Sequence, residues 1–188
     1  VFRVTEANVE VTLNNVNMVS TAVRVGTNDI RGISIDSYNN VKLTLNNCSV
    51  DFTDASANDW AYAVNVTGGA NHTVTVNGGA YEGANVINVR SAKSAVTVKN
   101  ATLTSTLPNT EANIAENNFG ACIWVLKNQG TSVYASGNTY IGDNAVAHNL
   151  GVGNFLEEGD NVDNATTLAV EARIGGAIYD TLAKAVAA

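Results

Sequence analysis

The chain has 188 residues, of which 45% are hydrophobic, and it carries a formal net charge of −7. This length suits one domain, or one domain with a fragment of a second. The acidic balance and the scattered Lys and Arg residues argue against a nucleic-acid reader or an anionic-membrane binder. No apolar run approaches the ~20 residues of a spanning helix. Val1 opens directly in strand-like sequence, so we expect any secretion signal to lie outside this piece.

From the N terminus onward, one short pattern recurs with strand-like alternation of apolar and polar residues. Another short alternating strand lies upstream of each copy. The spacing between copies varies while the strands keep their pattern, as expected when insertions lie in the loops of a solenoid. We interpret each upstream strand, copy and loop as one turn of a stacked β-solenoid, called a rung below. The copies lie at residues 11–18, 43–50, 74–81, 96–103 and 133–140, and the upstream strands at 1–4, 32–35, 63–66, 86–89 and 122–125.

Period-two alternation assigns one face of every strand to the interior. One rung cannot bury its own apolar face, so stacking of successive rungs must do it, at ~1.5–3 kcal/mol for each buried Val or Leu. The central inward positions of the five copies are expected to lie one above another. They are Leu13, Leu45, Val76, Val98 and Ala135.

A sharp bend is predicted in the middle of each copy. Asn15, Asn47 and Asn100 occupy one position in this bend, with Gly78 and Gly137 as substitutes. Asn and Gly tolerate left-handed backbone geometry better than other residues. Side-chain amides carry both a donor and an acceptor, so stacked asparagines can hydrogen-bond from rung to rung. This pattern predicts a structural asparagine ladder.

The cysteines and histidines give no sign of a disulfide or a metal site. Cys48 and Cys122 lie three rungs apart in this register, roughly 14 Å at ~4.8 Å per rung, whereas a disulfide needs Cα atoms within about 7 Å. His72 and His148 fall in turns without a partner at metal-ligand spacing. We expect no metal and no cofactor.

The repeat with its asparagine bend resembles the right-handed parallel β-helix of the pectate-lyase-like superfamily, over about residues 1–145. The resemblance implies an all-β fold: a right-handed single-stranded parallel β-helix of about five rungs and three short parallel sheets. It brings no catalytic signature. Residues 1–148 form this predicted β-helix, and residues 149–168 an acidic Gly- and Asn-rich loop with an irregular last rung.

Residues 169–188 change character and predict a small hairpin–helix element. The hairpin turns at Gly175 and Gly176, and Asp180 or Thr181 caps a short amphipathic helix. This end is similar to an element that recurs in large bacterial surface proteins, where it often heads a new β-helical segment. The resemblance implies that the chain is a monomeric fragment of a longer protein.

In this superfamily substrates usually bind along the first sheet, which directs attention to its outward residues. A strip of polar side chains edged by tryptophan is the kind of surface on which sugar rings stack. The alternative is an ordinary solvated sheet face with a loop-covered tryptophan. The outer strip, our candidate glycan-binding set, comprises Asp36, Trp60, Asn65, Asn88, Arg90 and Trp124.

Catalytic patterns are weak. A lyase would need clustered carboxylates holding Ca²⁺ beside a basic group, but Asp36 is the single carboxylate of the predicted first sheet. A hydrolase needs two carboxylates at about 5–9.5 Å. Asp51 and Glu82 occupy equivalent outward positions on neighbouring rungs, and the next position is Thr104. A solvated like-charge pair or a weak cation site is the simpler interpretation.

The leading hypothesis is therefore a non-catalytic segment of a secreted or cell-surface bacterial protein, serving as stalk, adhesin or glycan-contacting module. Its partners would be extracellular glycans or a host protein, with no nucleic acid and no membrane insertion. The alternative is a polysaccharide lyase or glycoside hydrolase whose active site lies on the first sheet or in a flank outside this sequence.

Overall fold

A computed structural model shows an all-β chain folded as a parallel β-helix, in which strands of successive rungs pair in parallel. The fold class predicted from the repeat is confirmed. The structure describes residues 1–21, 29–36, 38–52, 60–107, 121–125, 131–142, 144–148, 154–158, 161–163, 172–174, 177–179 and 186–187.

The first sheet has six parallel strands, each taken from one rung. Its register places Phe2, Ile33, Val64, Ile87 and Ile123 beside one another, as period-two alternation predicts. The strands, in sheet order, are β1 (Phe2–Val4), β4 (Ile30–Asp36), β6 (Ala61–Thr67), β8 (Ile87–Val89), β11 (Ala121–Val125) and β14 (Asn144–His148).

The second sheet has ten strands and combines two of the three sheets that were expected. These two sheets are joined because β5 and β7 run unbroken through the bend and pair with each other on both sides of it. The strands are β2 (Glu10–Asn14), β3 (Asn17–Val19), β5 (Lys42–Asp51), β7 (Thr73–Gly83), β9 (Ala95–Lys99), β10 (Thr102–Ser105), β12 (Ser132–Ser136), β13 (Thr139–Ile141), β15 (Asn154–Glu158) and β16 (Asn161–Asp163).

The core between the two sheets is built from aligned apolar columns. Leu13, Leu45, Val76, Val98 and Ala135 pair in unbroken register. The last four are fully buried, and each belongs to one continuous hydrophobic cluster. The predicted stacking is confirmed.

The bend has the predicted backbone geometry. Asn15, Asn47 and Asn100 have φ of 54°, 49° and 54°, and the substitute glycines Gly78 and Gly137 have φ of 69° and 67°. The Asn47 amide donates to Asn15 Oδ1 at 3.1 Å, which confirms one step of the asparagine ladder. Asn100 lies between the two glycines in this column, so the ladder does not extend to it.

A second ladder, which we call the corner column, lies at the turn before the second strand of each rung. The backbone N–H of Val41 donates to the ring nitrogen Nδ1 of His72 at 3.3 Å. The backbone N–H of His72 donates to Ser94 Oγ at 3.0 Å. The Ser94 N–H in turn donates to Thr131 Oγ1 at 3.2 Å. Each side chain satisfies a buried backbone donor of the preceding rung, so His72 is a structural residue.

The geometry of the corner column predicts a pH dependence of stability. His72 Nδ1 accepts a hydrogen bond and Nε2 lies 3.2 Å from Gly68 O, so the ring fits as the neutral Nε2–H tautomer. Burial lowers the pKa of His72 below its ordinary 6.5. The unfolded chain then binds the proton more readily. The His72 contribution to stability is present above pH 6.5 and is lost as the pH falls through the lowered folded-state pKa.

We expect the urea midpoint to fall between pH 7.5 and pH 5 by more in the native chain than in His72→Asn. The asparagine can retain an acceptor near Val41 but does not titrate. Equal losses in the two proteins would show that His72 does not cause the acid sensitivity.

The remaining expectations concern the cysteines and the C-terminal part. Cys48 and Cys122 are both free, as their three-rung separation predicts, and both are buried. The predicted hairpin is present as antiparallel strands β17 (Ala172–Ile174) and β18 (Ala177–Tyr179). Strands β15 and β16 lie in the stretch predicted as loop and irregular last rung, where they pair with β12 and β13. The predicted helix lies outside the described residues except for Val186 and Ala187.

Among described residues, no helix has the length and apolar character needed to cross a membrane.

Candidate functional site

The outer face of the first sheet is polar but buried. Asn65 and Asn88 have no exposed surface, and Trp124 retains 4%. These three side chains are therefore covered and offer little surface to a ligand, and glycan binding by the strip stays a prediction. Residues 53–59 and 108–120, which belong to the long loops expected beside this face at 53–61 and 104–120, lie outside the described residues.

Asp36 is the centre of the buried network on this face. Its Oδ1 accepts hydrogen bonds from Ser34 Oγ at 2.6 Å, and from Asn65 Nδ2 and Thr67 Oγ1 at 3.2 Å each. Its Oδ2 accepts from Arg31 at 3.0 Å and lies 2.9 Å from Arg3 Nε. Five donors saturate the carboxylate, which leaves it unsuited to accept a proton from a substrate or to hold a cation.

The network continues across the rungs. Asn88 Nδ2 donates to Asn65 Oδ1 at 2.8 Å, and Asn65 Nδ2 contacts Ser34 Oγ at 3.2 Å. Three residues of the outer strip, Asp36, Asn65 and Asn88, are thus joined in one chain of hydrogen bonds. Asn88 Oδ1 is buried without a hydrogen-bond partner in the described structure. This arrangement is a polar ladder inside the protein.

The other three residues of the outer strip form an aromatic cluster. Trp60 packs against a buried group that includes Tyr62 and Trp124. The Arg90 guanidinium lies over the Trp124 ring at 5.0 Å from its centroid, within cation–π range. Arg90 and Trp60 are half-buried, so they are the members of the strip that a ligand could still reach.

A second site, which we call the acidic groove, lies on the outer face of the second sheet beyond the bend. It is an open cavity of about 280 Å³. Asp51 and Glu82 lie there on neighbouring strands, because Val50 pairs with Tyr81 immediately before them. The next rung places Thr104 beside Glu82. The other lining residues are Asn17, Val19, Ser49, Val50, Ala80 and Tyr81.

Glu82 is the perturbed acid of this groove. Burial, and then the negative charge of Asp51, raise the pKa of Glu82 above its usual value. Among the described residues, no three His, Cys, Asp or Glu side chains converge as a metal site. The groove therefore combines a carboxyl that holds its proton more tightly with a carboxylate one strand away.

The raised pKa predicts that Glu82→Gln stabilises the fold near neutral pH. A carboxyl whose pKa is raised by folding destabilises the fold as the pH rises above its pKa in the unfolded chain. Removing the charge should therefore increase the urea midpoint at pH 7. The gain should vanish at pH 3.5, where Glu82 is protonated in both states. Asp51→Asn is the matched variant, and it should produce a smaller gain because Asp51 is exposed. A loss of stability at pH 7 in Glu82→Gln would contradict the burial and charge argument.

Comparison with protein-family models, with curated proteins and with solved structures finds no match to this chain, so its function is argued from its own geometry.

Proposed function

We propose that the protein is a structural β-helical segment of a bacterial extracellular or cell-surface protein, acting as a stalk. The buried network around Asp36 supports this proposal. Asp36, Asn65 and the side-chain nitrogen of Asn88, which could have bound a substrate, are instead engaged with neighbouring rungs. Such contacts increase rigidity along the stack, which is what a stalk needs.

The aligned hydrogen bonds and apolar columns also suit a stalk mechanically. Each rung contacts chiefly its neighbours, so stability is approximately a sum over rungs and interfaces. A force applied between the two ends must separate parallel strands that are hydrogen-bonded along their edges. Single-molecule pulling between the termini should therefore show stepwise lengthening in rung-sized increments. Extension at negligible force would remove the support for a stalk.

An adhesin role through glycans forms a separate part of the proposal. It would use Arg90 and Trp60, because Asn65 and Asn88 are inaccessible. The test is a glycan array probed with the labelled chain and with Trp60→Ala. Binding that Trp60→Ala abolishes would support a glycan-contacting stalk. If the chain binds no glycan on the array, only the structural role remains.

A carbohydrate-active enzyme is the second candidate, and the acidic groove is the observation in its favour. Adjacent strands lie ~4.8 Å apart, near the about 5–5.5 Å that separates the carboxyls of retaining glycosidases. Glu82, with its raised pKa, would be the acid and Asp51 the nucleophile. Release of reducing ends from a polysaccharide panel, abolished in both Glu82→Gln and Asp51→Asn, would support it. Equal background in all three proteins would exclude this site.

A further inference from the structure

The N-terminal end of the β-helix presents an uncovered edge, which we call the open face. Among the described strands, β1, β2 and β3 pair on one side only, with β4 and β5. Leu13 and Met18 are partly exposed, whereas Leu45 and Val50 below them are 0% and 2% exposed. The apolar columns of the core therefore continue to this surface and stop there uncovered.

The open face also carries a row of unused amide donors. Asn8, Asn14, Asn15 and Asn17 each accept a hydrogen bond through Oδ1 from the rung below, at 2.8, 2.8, 3.1 and 2.6 Å. Their Nδ2 groups make no hydrogen bond within the described structure. Because the ladder is directional, four side-chain donors on this face have no acceptor among the residues that the structure describes.

The backbone N–H and C=O groups of β2 show the same one-sided arrangement. Lys42 N–H donates to Val9 O and Asn15 N–H donates to Asn46 O, so the odd-numbered residues of this stretch pair with β5. Backbone groups of successive strand residues point to opposite edges. The N–H and C=O groups of Glu10, Thr12 and Asn14 therefore point away from β5.

This edge lacks the features that protect a free edge. Natural edge strands carry proline, lysine or bulges that block further pairing. No proline or lysine occurs in residues 1–21. The charges of β1 and β2 are already paired within the fold, since Arg3 contacts Asp36 and Glu10 contacts Lys42.

We propose that the open face is a docking surface for one further β-helical rung, an extended segment running parallel to β1, β2 and β3. Its inward residues must be apolar, to cover Leu13 and Met18. It must carry side-chain oxygens opposite the four asparagines. A second copy placed face to face does not meet these requirements, because donors would oppose donors. This inference extends the structural role proposed above and is independent of glycan binding.

The test supplies such a rung in register. Ile33 pairs with Val64, 31 residues later, so one rung spans 31 residues. A copy of residues 33–62 placed directly before Val1 therefore sets the copied Ile33 31 residues before Phe2. The copied strands then lie over Phe2 and Leu13. The control carries the same copy with serine in place of both copied leucines, Leu43 and Leu45. Hydrogen exchange is measured at the Thr12 amide, with the Leu45 amide reporting an intact core.

The docked copy should slow exchange at Thr12 by about tenfold or more relative to the unfused chain, and the serine control should not. Unchanged exchange at Thr12 in the fusion would overturn the proposal. Equal protection by the control would overturn the apolar match on which it rests. Loss of protection at Leu45 in the fusion would also count against it, because a rung that docks cannot unfold the core it covers. None of these results depends on stalk mechanics, so this proposal can fail separately from the proposed function.

Discussion

Replacing Asp36 with asparagine is expected to destabilise the fold by about 3 kcal/mol. Removal of one partner from a buried ion pair typically costs about 3–5 kcal/mol. The lower end applies here, because the Arg31 side chain is 32% exposed and water can solvate part of its charge. The Asp36 side chain itself is 7% exposed. An asparagine would also present an N–H₂ group to donors that now converge on oxygen. Urea unfolding at pH 7 measures the loss.

Asp29→Asn is the matched control for this prediction. Asp29 Oδ2 lies 2.7 Å from the same Arg31, but its side chain is 24% exposed and contacts fewer donors. Surface ion pairs contribute about 0–1 kcal/mol, so this variant should lose less than about 1 kcal/mol. A loss in Asp36→Asn no larger than that of Asp29→Asn would show that the saturated carboxylate is not a centre of stability.

The strand register could be predicted from the sequence because side-chain direction alternates with period two. Leu45 and Val76 face the core together in this register, whereas a shift of either strand by one residue would turn one of the two side chains outward. The merging of two sheets could not be predicted in this way. A bend at Asn47 interrupts the alternation in the sequence, whereas β5 remains one strand that pairs with β7 on both sides of this residue.

The candidate site was harder to predict because outward direction is a different property from exposure. Alternation places Asn65 and Asn88 on the outer face, and they do lie there, but it contains no information about what covers that face. The contact between Asp36 and Arg31 could not be predicted from alternation either, because residues five apart on one strand are expected to point to opposite faces. The corner column does have a signal in the sequence: His72, Ser94 and Thr131 all carry an acceptor at one fixed position before the second strand.

The second large effect concerns Gly79, whose replacement by alanine should destabilise the fold by about 3 kcal/mol or more. Gly79 has a φ of 97°, a conformation that side chains rarely adopt, and such strain costs about 1–3 kcal/mol. An added Cβ would also overlap the backbone carbonyl of Cys48 on the neighbouring strand. That carbonyl belongs to β5 inside the sheet and has no room to move. Overpacking of this kind adds about 1–3 kcal/mol. Thermal and urea unfolding would measure both contributions together.

Gly78→Asn is the control, because it changes the adjacent glycine at the same bend. Gly78 has a φ of 69°, near the value that Asn47 and Asn100 adopt in the same column, and a Cβ there would lie 3.7 Å from Asn100 O. An asparagine at this position can bridge the gap in the ladder between Asn47 and Asn100. It also reduces the freedom of the unfolded chain, so we expect no loss and a gain of up to about 1 kcal/mol. Stability changes of opposite sign in Gly78→Asn and Gly79→Ala would show that the two positions have different requirements. The first needs left-handed backbone geometry, and the second needs the absence of a side chain. Equal losses would mean that the rungs are too closely spaced at the bend for any added side chain, and the asparagine ladder would then be a consequence of spacing alone.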